Sequence, residues 1–349
     1  MNKTLLSNNY VKDILNQPVA LQDTIIELEK QTLTPFHLLS EKLSNHSLKR
    51  VVLTGMGSSY HALHPISLSL LEHGVQTLMF ETSELIYYAP RLVSPETLVV
   101  AVSQSGRSAE IVQLLEMIHH EVPMIGITNT PESPLAQQAD LTLFTRAGNE
   151  FSVSCKTYIA TLAVLSYLGE VLLGKQPAGI FSDLQITVEQ MSAYLKIWEK
   201  HVDYLTRDLN GINSLILTGR GSSLAAANTG GLIIKEAAHF HAEGMSSAAF
   251  RHGPFEMVSP EMMVLVFGGI GAGKPLNANL VVDIHKAGGR AEFVSFNGGD
   301  NPYVLPSVPI SQLSIMEILP AQMISIALAL LNHHDPGTFE HSSKVTIIS

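Results

Sequence analysis

The sequence has few cysteines, few charged residues and no long apolar run, and each of these features excludes a class of protein. Its 349 residues include one cysteine, Cys155, which excludes an internal disulfide framework and a multi-cysteine metal site. Charged residues make up only 15%, the net charge is −10, and no cluster of lysine and arginine occurs, so nucleic acid and anionic membrane surfaces are not expected partners. The first residues lack the apolar core of a signal peptide, and no uninterrupted apolar run reaches the roughly 20 residues of a membrane span. These absences predict a soluble cytoplasmic protein.

Apolar residues are plentiful at 46%, and the length is sufficient for two domains of about 150 residues. In the first half, the segments 51–54, 97–102 and 123–128 are largely continuous apolar runs, and the second half repeats the theme with strands near 214–218, 263–268 and 291–296. Continuous rather than alternating apolar runs are typical of parallel strands that are covered on both faces. We therefore predict doubly wound α/β domains, with a helix over about 60–73 in the first half and a long helix over about 182–209 that leads into the second.

A short motif occurs twice. Residues 53–59 read LTGMGSS, and residues 217–223 read LTGRGSS, 164 positions later. Each copy follows an apolar strand and precedes a helical pattern, which indicates an internal duplication. We predict an N-terminal helical segment over 1–34, a first domain over 35–178, a second over 179–334 and a tail over 335–349. In such sheets ligands bind where the carboxyl ends of strands meet.

The stretch 103–108, SQSGRS, follows the apolar run LVVAV and leads into a helical pattern. Three serines and a glutamine in six residues supply more hydrogen-bond donors than a helix cap requires, and Gly106 permits close backbone approach. The composition suits the oxygens of a phosphate. An ordinary capped turn, with Ser108 as the cap, remains the alternative.

A second candidate constellation lies over 235–256. Glu236 follows an apolar helical run, where a carboxylate is costly unless it is paired or functional. His252 precedes Gly253 and Pro254 in a rigid turn and is a side chain that titrates near neutral pH. A glutamate base with a histidine acid would suit proton transfer beside a carbonyl. A helix ending in a salt bridge, followed by a turn histidine, is the alternative.

Three further motifs carry less weight. His239, His241 and Glu243 alternate, but on the helix expected here they would point apart, so no metal site is predicted. The glycine-rich stretch 268–275 has P-loop spacing but places Pro275 where Ser or Thr is required, so a nucleotide is not expected. Lys344 in the tail would matter only if the tail folded back over a site.

Together these motifs resemble the sugar isomerase (SIS) family in its tandem form. The resemblance runs from about residue 35 to the C-terminus and is carried by GMGSSYHA, VSQSGRS, KEAAHFHAE and the following HGP. It is nearest to the isomerase domain of glucosamine-6-phosphate synthase and to stand-alone aminosugar-phosphate isomerase/deaminases. It implies two flavodoxin-like domains, each a parallel sheet with helices on both faces, and a phosphosugar isomerase that requires no cofactor and no metal.

The resemblance also implies roles for particular residues. Glu236 would move a proton between C1 and C2 of the open-chain sugar, and His252 would assist ring opening from the neighbouring subunit of a homodimer. Lys344 matches a tail lysine that covers the sugar. The side chains that would bind the sugar phosphate are those of Ser59, Ser103, Gln104, Ser105 and Ser108.

The sequence departs from the family pattern in several places. Phe339 and Glu340 replace a proline–arginine pair of the tail, and Ile233 replaces a lysine one turn before the glutamate. No glutaminase segment precedes the match, so glutamine-driven synthesis is not expected. We expect isomerisation of a hexose 6-phosphate, either with or without loss of an amine, and a fructosamine-6-phosphate deglycase or a non-catalytic sugar-phosphate sensor are the alternatives.

Overall fold

The computed structural model describes residues 3–341, which fall into two compact units. The first-sheet unit comprises residues 19–149 and 156–185, and the second-sheet unit comprises residues 3–18, 150–155 and 186–341. Each unit contains one five-stranded parallel sheet.

The first sheet is built from short apolar strands in the order β2-β1-β3-β4-β5, all parallel. All six residues of the central strand β3 are buried, as its unbroken apolar sequence predicts. The strands are β1 (Arg50–Gly55), β2 (Thr77–Glu81), β3 (Thr97–Val102), β4 (Met124–Thr128) and β5 (Leu141–Phe144).

The second sheet repeats this arrangement in the order β10-β9-β8-β6-β7, also all parallel. Taken in chain order, both sheets run 2-1-3-4-5, which is the flavodoxin-like order. The predicted fold class of two tandem flavodoxin-like α/β domains is therefore confirmed. The strands are β6 (Ser214–Gly219), β7 (Ala242–Ser246), β8 (Met262–Phe267), β9 (Arg290–Phe296) and β10 (Val304–Leu305).

Helices connect and cover the strands. In chain order they are α1 (Lys3–Ser7), α2 (Asn9–Leu15), α3 (Gln17–Leu28), α4 (Thr34–Ser44), α5 (Ser58–His61), α6 (His64–Glu72), α7 (Thr82–Tyr88), α8 (Ala109–Met117), α9 (Pro134–Gln138), α10 (Lys156–Leu172), α11 (Ala178–Leu195), α12 (Trp198–Asp208), α13 (Leu224–Ala238), α14 (Ser247–Arg251), α15 (Gly273–Lys286) and α16 (Leu313–Leu331).

The structure corrects the sequence-based boundaries at three places. The single helix expected over 182–209 is two helices, α11 and α12, and the one expected over 60–73 is likewise two. The stretch 239–243 is not helical, because α13 ends at Ala238 and the edge strand β7 begins at Ala242. That strand was missed because only its first residue is fully buried, so it shows no continuous apolar run.

The N-terminal helices pack within the second-sheet unit. Tyr10 in α2 is fully buried, and its hydroxyl lies 2.9 Å from the hydroxyl of Ser325 in α16. The side-chain amides of Gln17 and Gln322 exchange hydrogen bonds of 2.8 and 3.0 Å. Buried polar groups that satisfy one another in this way fix the position of the helices that carry them. The compact units are thus discontinuous in sequence, and the domain boundaries proposed above remain predictions.

Helix α16 is long and apolar enough to cross a membrane by length and composition, with its span measured as residues 310–331. Of its most apolar window, 94% is buried inside the protein, as in the core helix of a globular domain. Buried polar side chains, among them Glu317 and Gln322, interrupt its sequence.

Candidate functional site

The switch in strand order of the first sheet lies between β1 and β3, whose carboxyl ends are adjacent with Gly55 opposite Val102. Two of the predicted loops leave the sheet at this point. A Cβ atom at Gly55 would lie 3.0 Å from the carbonyl oxygen of Val102 and 3.2 Å from the Cβ of Ser59. The fold therefore brings the loop that contains Ser59 beside the loop that begins at Ser103.

The loop 103–108 is anchored firmly to the end of β4. The carbonyl oxygen of Gln104 accepts hydrogen bonds from the backbone N–H of Asn129 at 3.0 Å and from the hydroxyls of Thr128 and Thr130 at 3.1 and 3.4 Å. Gly106 adopts a φ of +60°, and a Cβ atom there would overlap the side chain of Ser133. Glycine is thus required for the loop to close against its neighbours.

The hydroxyl groups of this loop remain able to donate to an anion. The Oγ of buried Ser103 accepts the N–H of Gly106 at 3.1 Å, and the Oγ of Ser105 accepts the N–H of Arg107 at 3.4 Å. Accepting these bonds leaves each O–H free to donate, because a hydroxyl can do both. Ser108 is the N-cap of α8, but its side chain makes no capping bond. The alternative of a simple capped turn therefore does not describe the role of its hydroxyl.

The corresponding loop of the second sheet is closed. The hydroxyl of Ser223, the counterpart of Ser59, is buried and donates to Oε1 of Glu317 at 2.8 Å. Burial raises the pKa of Glu317 to about 7, partly opposed by this hydrogen bond. The residues after β8, GGIGAG, offer no counterpart of the serines in SQSGRS. The second switch point thus lacks the donor set of the first.

Glu236 lies in the last turn of α13 and is half-buried. Its carboxylate is close to the hydroxyl of Tyr10, whose pKa is raised first by burial, then by Cys155 and to a smaller degree by Glu236 and Glu150. The backbone N–H of Cys155 donates to Oε1 of Glu150 at 2.9 Å. Sequence reasoning missed Tyr10, on which both Glu236 and Glu150 act, because it lies in no motif and is distant from both in the chain.

The tail returns to the helix that carries Glu236. The N–H of Gly337 donates to the carbonyl oxygen of Ala237 at 3.0 Å, and the side-chain amide of Asn8 donates to Asp335 and to the carbonyl of Pro336, both at 3.0 Å. This segment of the tail is therefore hydrogen-bonded to α13. Lys344 itself lies outside the described residues.

His252 is exposed on the turn after α14, which follows the carboxyl end of β7. Glu236, in contrast, precedes the amino end of β7, because α13 runs antiparallel to the strands. The five residues of β7 span about 13 Å, so within one chain the two side chains belong to opposite edges of the second sheet. The fold brings the serines of the first sheet together, but not Glu236 and His252.

His239 and Glu243, two members of the alternating trio, have different partners. Glu243 pairs with Lys235 at 3.2 Å, whereas the ring of His239 contacts the carbonyl of Thr338. The salt bridge that the sequence offered as the alternative role of this region exists between Lys235 and Glu243, whose side chains are both exposed.

Comparison with known protein families identifies the family of the chain. The model of the SIS domain matches residues 46–170 and 208–295, one segment in each half. The chain belongs to the SIS-domain family. The resemblance predicted from the motifs is thereby confirmed, and both segments include one copy of the duplicated glycine–serine loop.

Known SIS-domain proteins of similar sequence and structure include glutamine–fructose-6-phosphate aminotransferase (isomerizing) of Pyrococcus horikoshii, which is 32% identical over 96% of this chain and 56% of its own length. The C-terminal domain of glucosamine-fructose-6-phosphate aminotransferase from Francisella tularensis has a TM-score of 0.81 at 21% identity and covers 95% of this chain and 98% of its own. A glucosamine-6-phosphate deaminase from Thermotoga maritima has a TM-score of 0.76 at 19% identity, covering 97% and 100%. The chain spans about half the length of the curated relatives that it matches.

Proposed function

We propose that this SIS-domain protein isomerises a hexose 6-phosphate between its aldose and ketose forms, with an aminosugar phosphate as the preferred substrate. The observation that carries the proposal is the loop 103–108, a rigid set of hydroxyl donors at the switch point of the first sheet. The 32% identity to an isomerizing aminotransferase supports the sugar-phosphate class.

The phosphate-binding role falls to one side-chain set, consisting of Ser59, Ser103, Gln104, Ser105 and Ser108. Hydroxyl and N–H donors at the start of α8 suit a phosphate in a protein whose net charge is negative, because a helix N-terminus carries partial positive charge. Anchoring the phosphate orients the reacting carbons, which lowers the entropic part of the barrier.

Glu236 is the proposed base. It takes the proton from C2 of the open-chain aldose and returns it to C1, through an enediol or, for a 2-amino sugar, an enolamine. With a 2-amino sugar the transfer leaves an imine at C2, which water hydrolyses to a ketone with release of ammonia. Lys344 is proposed to contribute from the tail.

His252 is proposed to assist ring opening in the site of a second copy of the chain, within a homodimer. Its exposed turn at the edge of the sheet opposite to Glu236 favours a role across an interface over a role within its own chain. Cytoplasmic localisation is proposed with it, since a chain with one cysteine cannot form an internal disulfide.

Replacement of Glu236 tests the chemistry. Glu236→Gln is expected to lower kcat about a hundredfold or more while leaving substrate binding nearly intact, because the amide cannot accept the proton. The assays are interconversion of fructose 6-phosphate and glucosamine 6-phosphate, with ammonia as a second readout. Glu243→Gln, which removes an exposed ion pair on the neighbouring strand, is the matched control.

Other results would redirect the assignment. Wild-type turnover in Glu236→Gln would contradict the role of this carboxylate. Conversion of fructosamine 6-phosphate alone would indicate a deglycase. Thermal stabilisation by phosphosugars without conversion of any of them would indicate a sensor, which needs only the phosphate-binding loop.

A further inference from the structure

We propose that His239, His334 and Glu340 form a site for a divalent transition-metal ion of the zinc class. The three residues offer ligand atoms that all lie within 4.8 Å of one another. Two imidazoles and a carboxylate are the donor set that Zn²⁺ and its neighbours in the first transition row prefer. The proposal departs from the sequence-based expectation of no metal and is independent of the proposed function.

Glu340 is the centre of the cluster. Its Oε1 lies 3.9 Å from Nδ1 of His239 and 3.8 Å from Nδ1 of His334. Ligand atoms around a tetrahedral zinc are about 3.3 Å apart, so an ion requires the three side chains to close from separations of up to 4.8 Å, the carboxylate by about half an ångström. The side chain of Glu340 is 54% exposed and can make that movement by rotation.

The tautomer of His239 is set for ligation through Nδ1. Its Nε2 lies 3.1 Å from the carbonyl oxygen of Thr338. A carbonyl only accepts hydrogen bonds, so Nε2 carries the proton and Nδ1 presents its lone pair toward Glu340. A ring N–H donated to a backbone carbonyl is the usual support of a metal-binding histidine.

The backbone of His239 gives a second indication. This residue ends α13 with a φ of 48° and a ψ of 37°, the left-handed conformation that glycine usually supplies at a helix C-terminus. Histidine there costs free energy that the packing must offset, and such outliers concentrate at functional sites. The conformation places the ring 3.9 Å, centroid to centroid, from that of His334.

His334 contributes a ring that is held in place. Its side chain is only 15% exposed, and its Nε2 is buried without a hydrogen-bond partner among the described residues. The turn that follows is fixed by the bonds of Asp335 and Gly337 described above. Two imidazole rings thus lie beside one carboxylate, an arrangement that a divalent metal ion can bridge.

An ion at this position would join the last turn of α13 to the segment 334–340. That turn carries Glu236, and the segment leads toward the end of the chain. The metal would therefore stabilise the hydrogen bond from Gly337 to Ala237 and restrict the opening of the tail. The expected role is that of a structural clip, because the ion would link two segments that are far apart in the sequence.

The test measures Zn²⁺ uptake by the full chain in equilibrium dialysis, with Mg²⁺ as the comparison ion. We expect one tightly bound Zn²⁺ per chain and an affinity lower by about tenfold or more in His334→Gln and in Glu340→Gln. His241→Ala, two residues from His239 and exposed, is the matched control and should bind as the wild type does. Mg²⁺, which prefers oxygen ligands, should not compete.

Amide hydrogen exchange supplies a readout that does not depend on activity. Zn²⁺ should slow exchange at the N–H of Gly337 in the wild type and in His241→Ala, but not in Glu340→Gln, whose exposed side chain is not needed for folding. Uptake that is unchanged in both ligand variants would overturn the proposal. The absence of Zn²⁺ uptake by the wild type would also overturn it.

Discussion

Gly106 is the residue on which the candidate phosphate loop most depends. Gly106→Ala should lower the free energy of unfolding by about 1–3 kcal/mol, because it adds a side chain at positive φ and overlaps Ser133. It should also weaken binding of fructose 6-phosphate, since the loop must shift. Urea denaturation and calorimetric titration measure the two effects.

Gly148→Ala is the control for this change. Gly148 also has a positive φ, of 68°, but a Cβ atom there meets nothing within 4 Å. It should therefore show the conformational cost alone, about 1 kcal/mol, and leave sugar-phosphate binding intact. Equal effects of both substitutions on binding would contradict the role assigned to the close packing at Gly106.

Residue types and spacing were sufficient to predict the loop serines and the conformation of Gly106, because both are local properties of a strand that ends in a turn. The surroundings of Glu236 were not predictable. Tyr10 acts on it, and Gly337 bonds to the neighbouring Ala237, only through the tertiary fold. A single sequence contains no local signal that pairs residue 10 with residue 236.

At the scale of elements, α16 is joined to the second glycine–serine loop by the pair Ser223–Glu317. Burial raises the pKa of Glu317 to about 7, above its ordinary 4.5, so the folded protein holds this proton more tightly than the unfolded chain. Its contribution to stability is full below pH 4.5 and is lost as the pH rises toward 7, by about 3 kcal/mol in total. Above that pH the loss is complete and constant.

Glu317→Gln removes this titration while retaining a polar side chain beside Ser223. The difference in urea midpoint between pH 5 and pH 8 should be smaller in Glu317→Gln than in the wild type. Glu243→Gln, at an exposed ion pair, should keep the wild-type difference. An identical pH dependence in Glu317→Gln and the wild type would contradict the assignment.

The order and type of the central strands could be predicted from the apolar runs, because a parallel strand that is buried on both faces requires a nearly continuous apolar sequence. The edge strand β7 was not predicted, because only one of its five residues is buried and its sequence therefore shows no continuous apolar run. The division of 182–209 into α11 and α12 also escaped prediction, as neither glycine nor proline marks the break.

At the scale of the whole molecule, the proposed dimer makes a quantitative prediction. Coexpression of Glu236→Gln and His252→Ala chains should restore about a quarter of wild-type activity, although each variant alone is nearly inactive. Half of the randomly formed dimers are mixed, and each mixed dimer assembles one intact site from the unaltered Glu236 of one chain and the unaltered His252 of the other.

Activity of the mixture no higher than that of the separate variants would place His252 outside the partner's site. Size-exclusion chromatography of both variants is the accompanying control, because a variant that no longer associates would give the same result for a different reason. The turn that carries His252 is exposed, so His252→Ala should leave the fold of each chain unchanged.

The hydrogen bond from Ser223 to Glu317 affects how the duplicated loop is interpreted. Two copies of one loop motif would ordinarily imply two binding sites and two ligands bound per chain. Here Ser223 of the second copy already donates its hydroxyl to Glu317 of its own chain. The repeated motif therefore records a duplication, and under the proposed function we expect each chain to bind one sugar phosphate, at the first copy.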